Sequence, residues 1–108
     1  MAETICSWVL RLKGYRIRAR SYKTSVGEID IIAQRGKMLI FVEVKARATT
    51  AAAAESIRFQ QQKRITRAAQ AYITNFPKLS NMNIRFDAML MAPGRLPRHI
   101  KDAWRHDP

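Results

Sequence analysis

The sequence predicts an α/β domain assembled in the order helix, three strands, long helix, strand and a short terminal helix. Two kinds of periodicity carry that prediction. Apolar residues recur at every second position in several runs, as in strands with one face in a core, and at three- and four-residue spacing in two others, as in amphipathic helices. Length supplies the third observation: 108 residues bury one modest core and are too few for two, so residues 1–108 read as a single domain.

The first helix covers residues 3–13, where Ile5, Cys6, Val9 and Leu10 fall at helical spacing, and Gly14 stands where helices commonly close with a left-handed residue. Residues 15–22 alternate, with Tyr15, Ile17 and Ala19 on one side and Arg16, Arg18 and Arg20 on the other. That basic face would follow a phosphate backbone. Two further strands, 27–33 and 41–45, are joined through Gln34-Arg35-Gly36-Lys37, a hairpin connection in which glycine supplies a conformation other residues resist. Residues 46–54, rich in Thr and Ala, have no clear period and begin as a loop. From about residue 55 to 76, Ile65, Ala68, Ala69, Tyr72, Ile73 and Phe76 share one helical face, Lys63, Arg67 and Gln70 point away, and Pro77 ends the helix. The last strand, 83–91, alternates Ile84, Phe86, Ala88 and Leu90 against Arg85, Asp87, Met89 and Met91. Pro93-Gly94 then turns the chain into the short terminal helix, which runs through Trp104.

The hairpin strands carry charge where burial makes it costly. They hold Glu28, Asp30, Glu43 and Lys45 among Ile29, Ile31, Ile32, Phe41, Val42 and Val44, in a chain with only 8 acidic residues. Side chains alternate along a strand, so Glu28 shares a face with Asp30, and Glu43 and Lys45 share one with Phe41. A loop of two or four residues sets Glu28 opposite Glu43 and Asp30 opposite Phe41, leaving Asp30 and Glu43 as diagonal neighbours with all four charges together. A three-residue loop scatters them over both faces unless a bulge restores the register.

Close carboxylates repel at neutral pH, and a shared proton or a bound cation relieves the repulsion. Oxygen ligands suit hard ions. Magnesium or manganese, needing few protein carboxylates and keeping positions open for water and substrate phosphate, matches so sparse a set. An ion over Asp30 and Glu43 would polarise a phosphodiester and stabilise the charge building on it, while the Lys45 ammonium would orient attacking water or neutralise that charge. Glu-Val-Lys alone is also a common solvent-facing alternation. The Asp in the preceding strand, with a turn able to bring the two together, adds a geometric requirement to the pattern.

Net charge points the same way: +12, from 20 Lys and Arg against 8 Asp and Glu, is the footprint of a polyanionic partner. Arg16, Arg18, Arg20 and Lys23, then Lys63, Arg64 and Arg67, are the candidates for gripping nucleic-acid phosphates, with salt-dependent and largely sequence-independent affinity. A membrane surface fits poorly, because an interfacial anchor gathers its charge and its apolar face on one helix, whereas arginines here occupy several elements. No apolar run reaches membrane-spanning length and no signal-peptide pattern opens the chain, so a soluble, cytoplasmic protein is expected. A single cysteine, Cys6, allows neither an intramolecular disulfide nor a thiolate zinc set and reads as a small buried group. His99 and His106 lack partners at metal-ligand spacing and read as surface or packing residues, Asp87 as a structural ion pair with Arg85, and Trp104 as packing.

The succession Gly14-Tyr15-Arg16-Ile17, Gly27-Glu28-Ile29-Asp30-Ile31-Ile32-Ala33, Phe41-Val42-Glu43-Val44-Lys45, Ala68-Ala69-Gln70-Ala71-Tyr72, Arg85-Phe86-Asp87 and His99-Ile100 resembles the YraN-like family within the PD-(D/E)-x-K nuclease superfamily, whose members look like archaeal Holliday-junction resolvases. The matching pieces run almost end to end. The resemblance implies a mixed central β-sheet flanked by helices, a restriction-endonuclease-like fold, with Asp30 and Glu43 as metal ligands and Lys45 as the catalytic lysine. By the same resemblance Glu28 and Gln62 occupy catalytic positions, and Glu3 matches a first-helix acid that approaches the metal. At Phe59 and Gln61 the chain departs from the Pro and Lys usual there.

Two function classes follow. The first is a magnesium- or manganese-dependent endonuclease acting on DNA rather than RNA, branched or otherwise structured, since nothing in the chain resembles a base-reading helix. Resolving a junction needs two symmetric cuts and hence a homodimer. The second is a non-catalytic nucleic-acid-binding module that keeps the fold and uses its charge for docking.

Overall fold

The computed structural model describes residues 1–105, so His106 lies outside the described residues. The elements are α1 (Ala2–Leu12), β1 (Arg16–Thr24), β2 (Gly27–Arg35), β3 (Met38–Ala46), α2 (Thr50–Glu55), α3 (Phe59–Asn75), a 3-10 turn (Pro77–Leu79), β4 (Asn83–Met91) and β5 (Arg98–Trp104). The strands form one mixed sheet in the order β1-β2-β3-β4-β5. β1, β2 and β3 are an antiparallel meander, β3 and β4 run parallel, and β5 returns antiparallel to β4. The parallel step requires a crossover, which α2, α3 and the 3-10 turn supply.

Helices cover both faces of the sheet, and the sequence of β3 reflects this. Leu39, Ile40, Phe41 and Val42 are all fully buried, the continuous apolar run of a strand enclosed on both sides. On one face Cys6 and Leu10 of α1 pack with Ile31, Ala33, Ile40, Val42 and Met89. On the other, Ile65, Ala68, Ala69 and Tyr72 of α3 pack with Ile32, Phe41 and Phe86. α2 seats Ala53 against Ala88 and Leu90 of that same β4 face. Among the described residues no helix is long and apolar enough to cross a membrane.

Four expectations are corrected. The terminal helix is a strand: residues after Pro97 pair with the open edge of β4, and Asp102 bulges at φ 56 within that pairing. Edge pairing outweighs weak local helical pattern here. The stretch read as beginning in a loop does so at residues 47–49, but it then forms α2, capped by the Thr49 hydroxyl accepting from the Ala52 N–H, and the long helix expected from about residue 55 starts separately, as α3, at Phe59.

The basic face of β1 is also split. A bulge between Ile17 and Ala19 interrupts its pairing with β2, and these two residues pack in opposite layers. Arg18 turns onto the α3 side, donating to the Tyr72 hydroxyl at 2.8 Å, while Arg20 reaches Thr4 of α1. The hairpin register shifts by two residues. It closes over Gly36 and Lys37 with Arg35 opposite Met38, so Ile32, not Asp30, lies opposite Phe41. Gly36, at φ 59, supplies the left-handed residue such a tight connection needs. The loop remains even, so the parity survives.

Candidate active site

β2 and β3 fork where the ladder ends. Their last pair is Ile31 with Val42, one step short of Asp30 and Glu43. Beyond it the Asp30 carboxylate replaces a strand partner, its Oδ2 accepting the Val44 N–H at 2.8 Å. Strict alternation fails at this point: Ile29 packs on the α3 side and Ile31 on the α1 side, although two residues apart on a strand should agree. The neighbouring β1 is irregular as well, with Ser21 at φ 48 and its hydroxyl donating to the Glu3 carboxylate at 2.9 Å. The shifted register thus sets Asp30, rather than Glu28, beside Glu43, while Glu28 pairs across to Lys23 of β1.

Glu43 is only 6% exposed. Its Oε2 accepts from the Gln61 side-chain amide of α3 at 2.7 Å. Burial first, then a hydrogen bond with the Asp30 carboxyl and the charges of Asp30 and Glu28, push its pKa from the ordinary 4.5 to about 9, against the opposing pull of Lys45. Without a cation, the Glu43 carboxyl therefore keeps its proton at neutral pH. Lys45 is half-buried and has no ion pair among the described residues, so its ammonium is free to act on a third group.

The other predicted residues divide. Gln62 does not reach the pair; its amide donates to the Ile57 carbonyl at 3.3 Å, and Gln61, one position earlier on the helix, makes the contact expected of a neighbouring polar residue. The resemblance pointed to Gln62, but the rotation of α3 turns its neighbour Gln61 onto the sheet instead. Glu3 shares a cavity of about 440 Å³ with Asp30, Arg20 and Arg47, but it is held by Ser21. Among the described residues no three His, Cys, Asp or Glu side chains gather as a ready-made metal cage. Two carboxylates remain, an all-oxygen pair of the kind magnesium or manganese supplements with water and phosphate.

Of the candidate phosphate-gripping cations, Lys23 and Arg64 line a second cavity with Glu28 and Gln61. Arg16 and Arg18 both donate to Gln34, and Arg18 also lies over the rings of Tyr72 and Phe76. Lys63 covers the Phe59 ring at 4.7 Å, and Arg67 lines a cavity with Trp104.

On the opposite side of β4 the structure reveals a buried polar cluster. Asp87, fully buried, accepts two hydrogen bonds from Arg85, one from His99 at 2.7 Å and one from the Asp102 N–H at 3.0 Å. Burial raises the Asp87 carboxyl, but these partners outweigh it and bring its pKa down to about 2. Arg85 continues to the Tyr15 hydroxyl, and Lys13 meets the other nitrogen of His99 at 3.0 Å. Asp87 is the structural ion pair read from sequence, and His99 packs as its second partner. Trp104 is buried and stacks on Phe86, also a packing role. The Cys6 thiol is pushed up to about 11 by burial and by the charges of Asp30 and Glu3, which keeps it inert.

Residues 2–91 match the sequence profile described as Uncharacterised protein family UPF0102. The chain is 49% identical over 104 residues to a UPF0102 protein of Parvibaculum lavamentivorans, covering 96% of this chain and 78% of that one. It is 49% identical over 111 residues to UPF0102 protein amb4503 of Paramagnetospirillum magneticum, covering 99% and 86%, and 50% identical over 107 residues to a UPF0102 protein of Rhodopseudomonas palustris, covering 99% and 82%.

Proposed function

Because this chain belongs to the UPF0102 family, and because its fork joins two carboxyls to a free lysine, we propose that it is a divalent-metal-dependent endonuclease of the PD-(D/E)-x-K type. Its substrate is DNA in preference to RNA, with branched or otherwise structured DNA favoured. The observation that carries this reading is the buried Glu43 carboxyl, held by the Gln61 amide next to the Asp30 carboxyl that caps Val44, with Lys45 forming no ion pair among the described residues on the same strand, in a chain of net charge +12. A buried Glu43 carboxyl whose pKa is raised by burial suits a cation that displaces its proton.

Asp30 and Glu43 would hold magnesium or manganese, which when bound supplies Lewis-acid polarisation of the phosphodiester and neutralises its charge. The Val44 N–H orients the Asp30 carboxylate and the Gln61 amide orients that of Glu43, so neither has to reorganise when the substrate arrives. Lys45, two residues from Glu43 on β3, stabilises negative charge developing on the phosphate or aligns the attacking water. Glu28 adds negative potential at the margin of the pair. Junction resolution would need two such sites in a homodimer.

The test is a panel of duplex, flapped, four-way and single-stranded DNA, with matched RNA, incubated with magnesium or manganese. Nicking of structured DNA is expected, abolished by Glu43→Ala or Lys45→Ala while binding persists. Absence of cutting on every member would refute the proposal. The net charge of +12 also supports a second reading, a nucleic-acid-binding module without catalysis. That reading expects salt-sensitive binding, no cleavage, and no effect of the two substitutions on cellular function.

A further inference from the structure

Most cations near the sheet already have partners. Arg16, Arg18, Arg20 and Lys13 donate to Gln34, Tyr72, Thr4 and His99, Arg35 lies over Tyr15, and Arg85 is bound to Asp87. Lys23, Arg58 and Arg64 differ: none forms an ion pair among the described residues, and all three line one cavity of about 570 Å³ between the end of the β1–β2 hairpin and the first turn of α3. Glu28 is the one acid in that lining. Three unpaired cations sharing a concave surface repel one another, and an anion seated among them removes that cost.

Two further observations define the place. Gln61 lines the cavity and also donates to Glu43, so the cavity adjoins the Asp30–Glu43 fork through a single side chain. At Gly27 a Cβ would lie 2.9 Å from the Arg64 carbonyl oxygen, so the start of β2 presses directly on the α3 backbone and gives the cavity a fixed wall. Its volume falls within the ~300–1,000 Å³ of ordinary small-ligand sites, which leaves room for one nucleotide unit.

We propose that this cavity is a phosphate subsite for the scissile nucleic-acid strand. Lys23, Arg58 and Arg64 seat the phosphodiester next to the one at the fork, and the strand therefore leaves past the end of β1 and over the first turn of α3 instead of along Arg16, Arg18 and Arg20. The assignment of the fork as the cutting centre rests on the function proposed above; the anion site itself does not.

The test uses the full chain carrying Lys45→Ala, in EDTA, so that nothing is cut. Binding of fluorescein-labelled oligo(dT) and of a labelled four-way junction is measured by anisotropy across a salt series. The double substitution Arg58→Ala/Arg64→Ala should lower the slope of log K against log salt by about 1.4–1.8, two phosphate contacts' worth, and weaken binding about tenfold at moderate salt. Arg58→Lys/Arg64→Lys should restore most of the slope. Arg95→Ala/Arg98→Ala removes the same net charge elsewhere and should change it far less. An equal effect from that control, or an unchanged slope in the Arg58/Arg64 variant with an unaltered thermal midpoint, overturns the subsite. With Lys45 restored and metal present, the Arg58/Arg64 variant should raise KM and leave kcat unchanged. A wild-type protein that cuts nothing sinks the nuclease reading alone, since the salt slopes still decide the subsite.

Discussion

Glu43→Gln should make the metal-free protein more stable at neutral pH, and the gain should grow as pH rises. Glutamine keeps the shape of the side chain: its oxygen can still accept from Gln61 and its amide can donate to Asp30, replacing the proton the native pair must hold. The native Glu43 pKa is raised from 4.5 to about 9. Folding therefore takes up a proton throughout the interval between those values, and stability falls as pH climbs through it. From pH 4.5 to 7 the loss amounts to about 3 kcal/mol, at roughly 1.4 kcal/mol per pH unit. For a domain of this size that is a difference of roughly 10 °C or more in Tm. Thermal melts followed by circular dichroism in EDTA, from pH 4.5 to 8, measure it. The curves of wild type and Glu43→Gln should meet near pH 4.5 and diverge above it, and manganese should raise the wild-type midpoint much more than that of the variant. A difference independent of pH, or a variant less stable than wild type at pH 8, would refute the argument that the buried Glu43 carboxyl holds a proton.

Other substitutions probe the frame around the site. Asp87→Asn strips the carboxylate from Arg85 and His99 in a fully buried position, and a loss of about 3–5 kcal/mol in urea denaturation is expected. Because its folded pKa is lowered from 3.8 to about 2, wild-type Asp87 contributes stability above pH 3.8 that disappears as pH falls through 2, and the variant should lack that acid limb. Gly27→Ala drives a methyl group against the Arg64 carbonyl and should cost about 1–3 kcal/mol, read as a lowered Tm.

The strands of the fork were legible because their chemistry is local. Apolar alternation marked β2 and β3, and an even turn around Gly36 was enough to predict that Asp30 and Glu43 converge. Which residue lies opposite which was not legible, since a shift of two preserves every face; the turn closing over Gly36 and Lys37 decided it. The β1 arginines were misread for a related reason. Alternation assumes an unbroken ladder, and one bulge moved Arg18 onto Tyr72 and sent Arg20 the other way. The end of the chain was misread because a short segment with weak periodicity takes its form from the edge it meets, here that of β4.

By itself the sequence determined the α/β class and the order of one helix, three strands, a long helix and a strand, the excess of positive charge, and the two strands that bear Asp30, Glu43 and Lys45, since composition and periodicity are properties of the chain read in line. Only the tertiary structure decided that Gln61 and not Gln62 meets Glu43, that Asp30 takes the place of a strand partner at Val44, and that His99 joins the Asp87–Arg85 pair. Those contacts join residues far apart in the chain, and the rotation of a helix or the slip of a ladder is set by how whole elements pack.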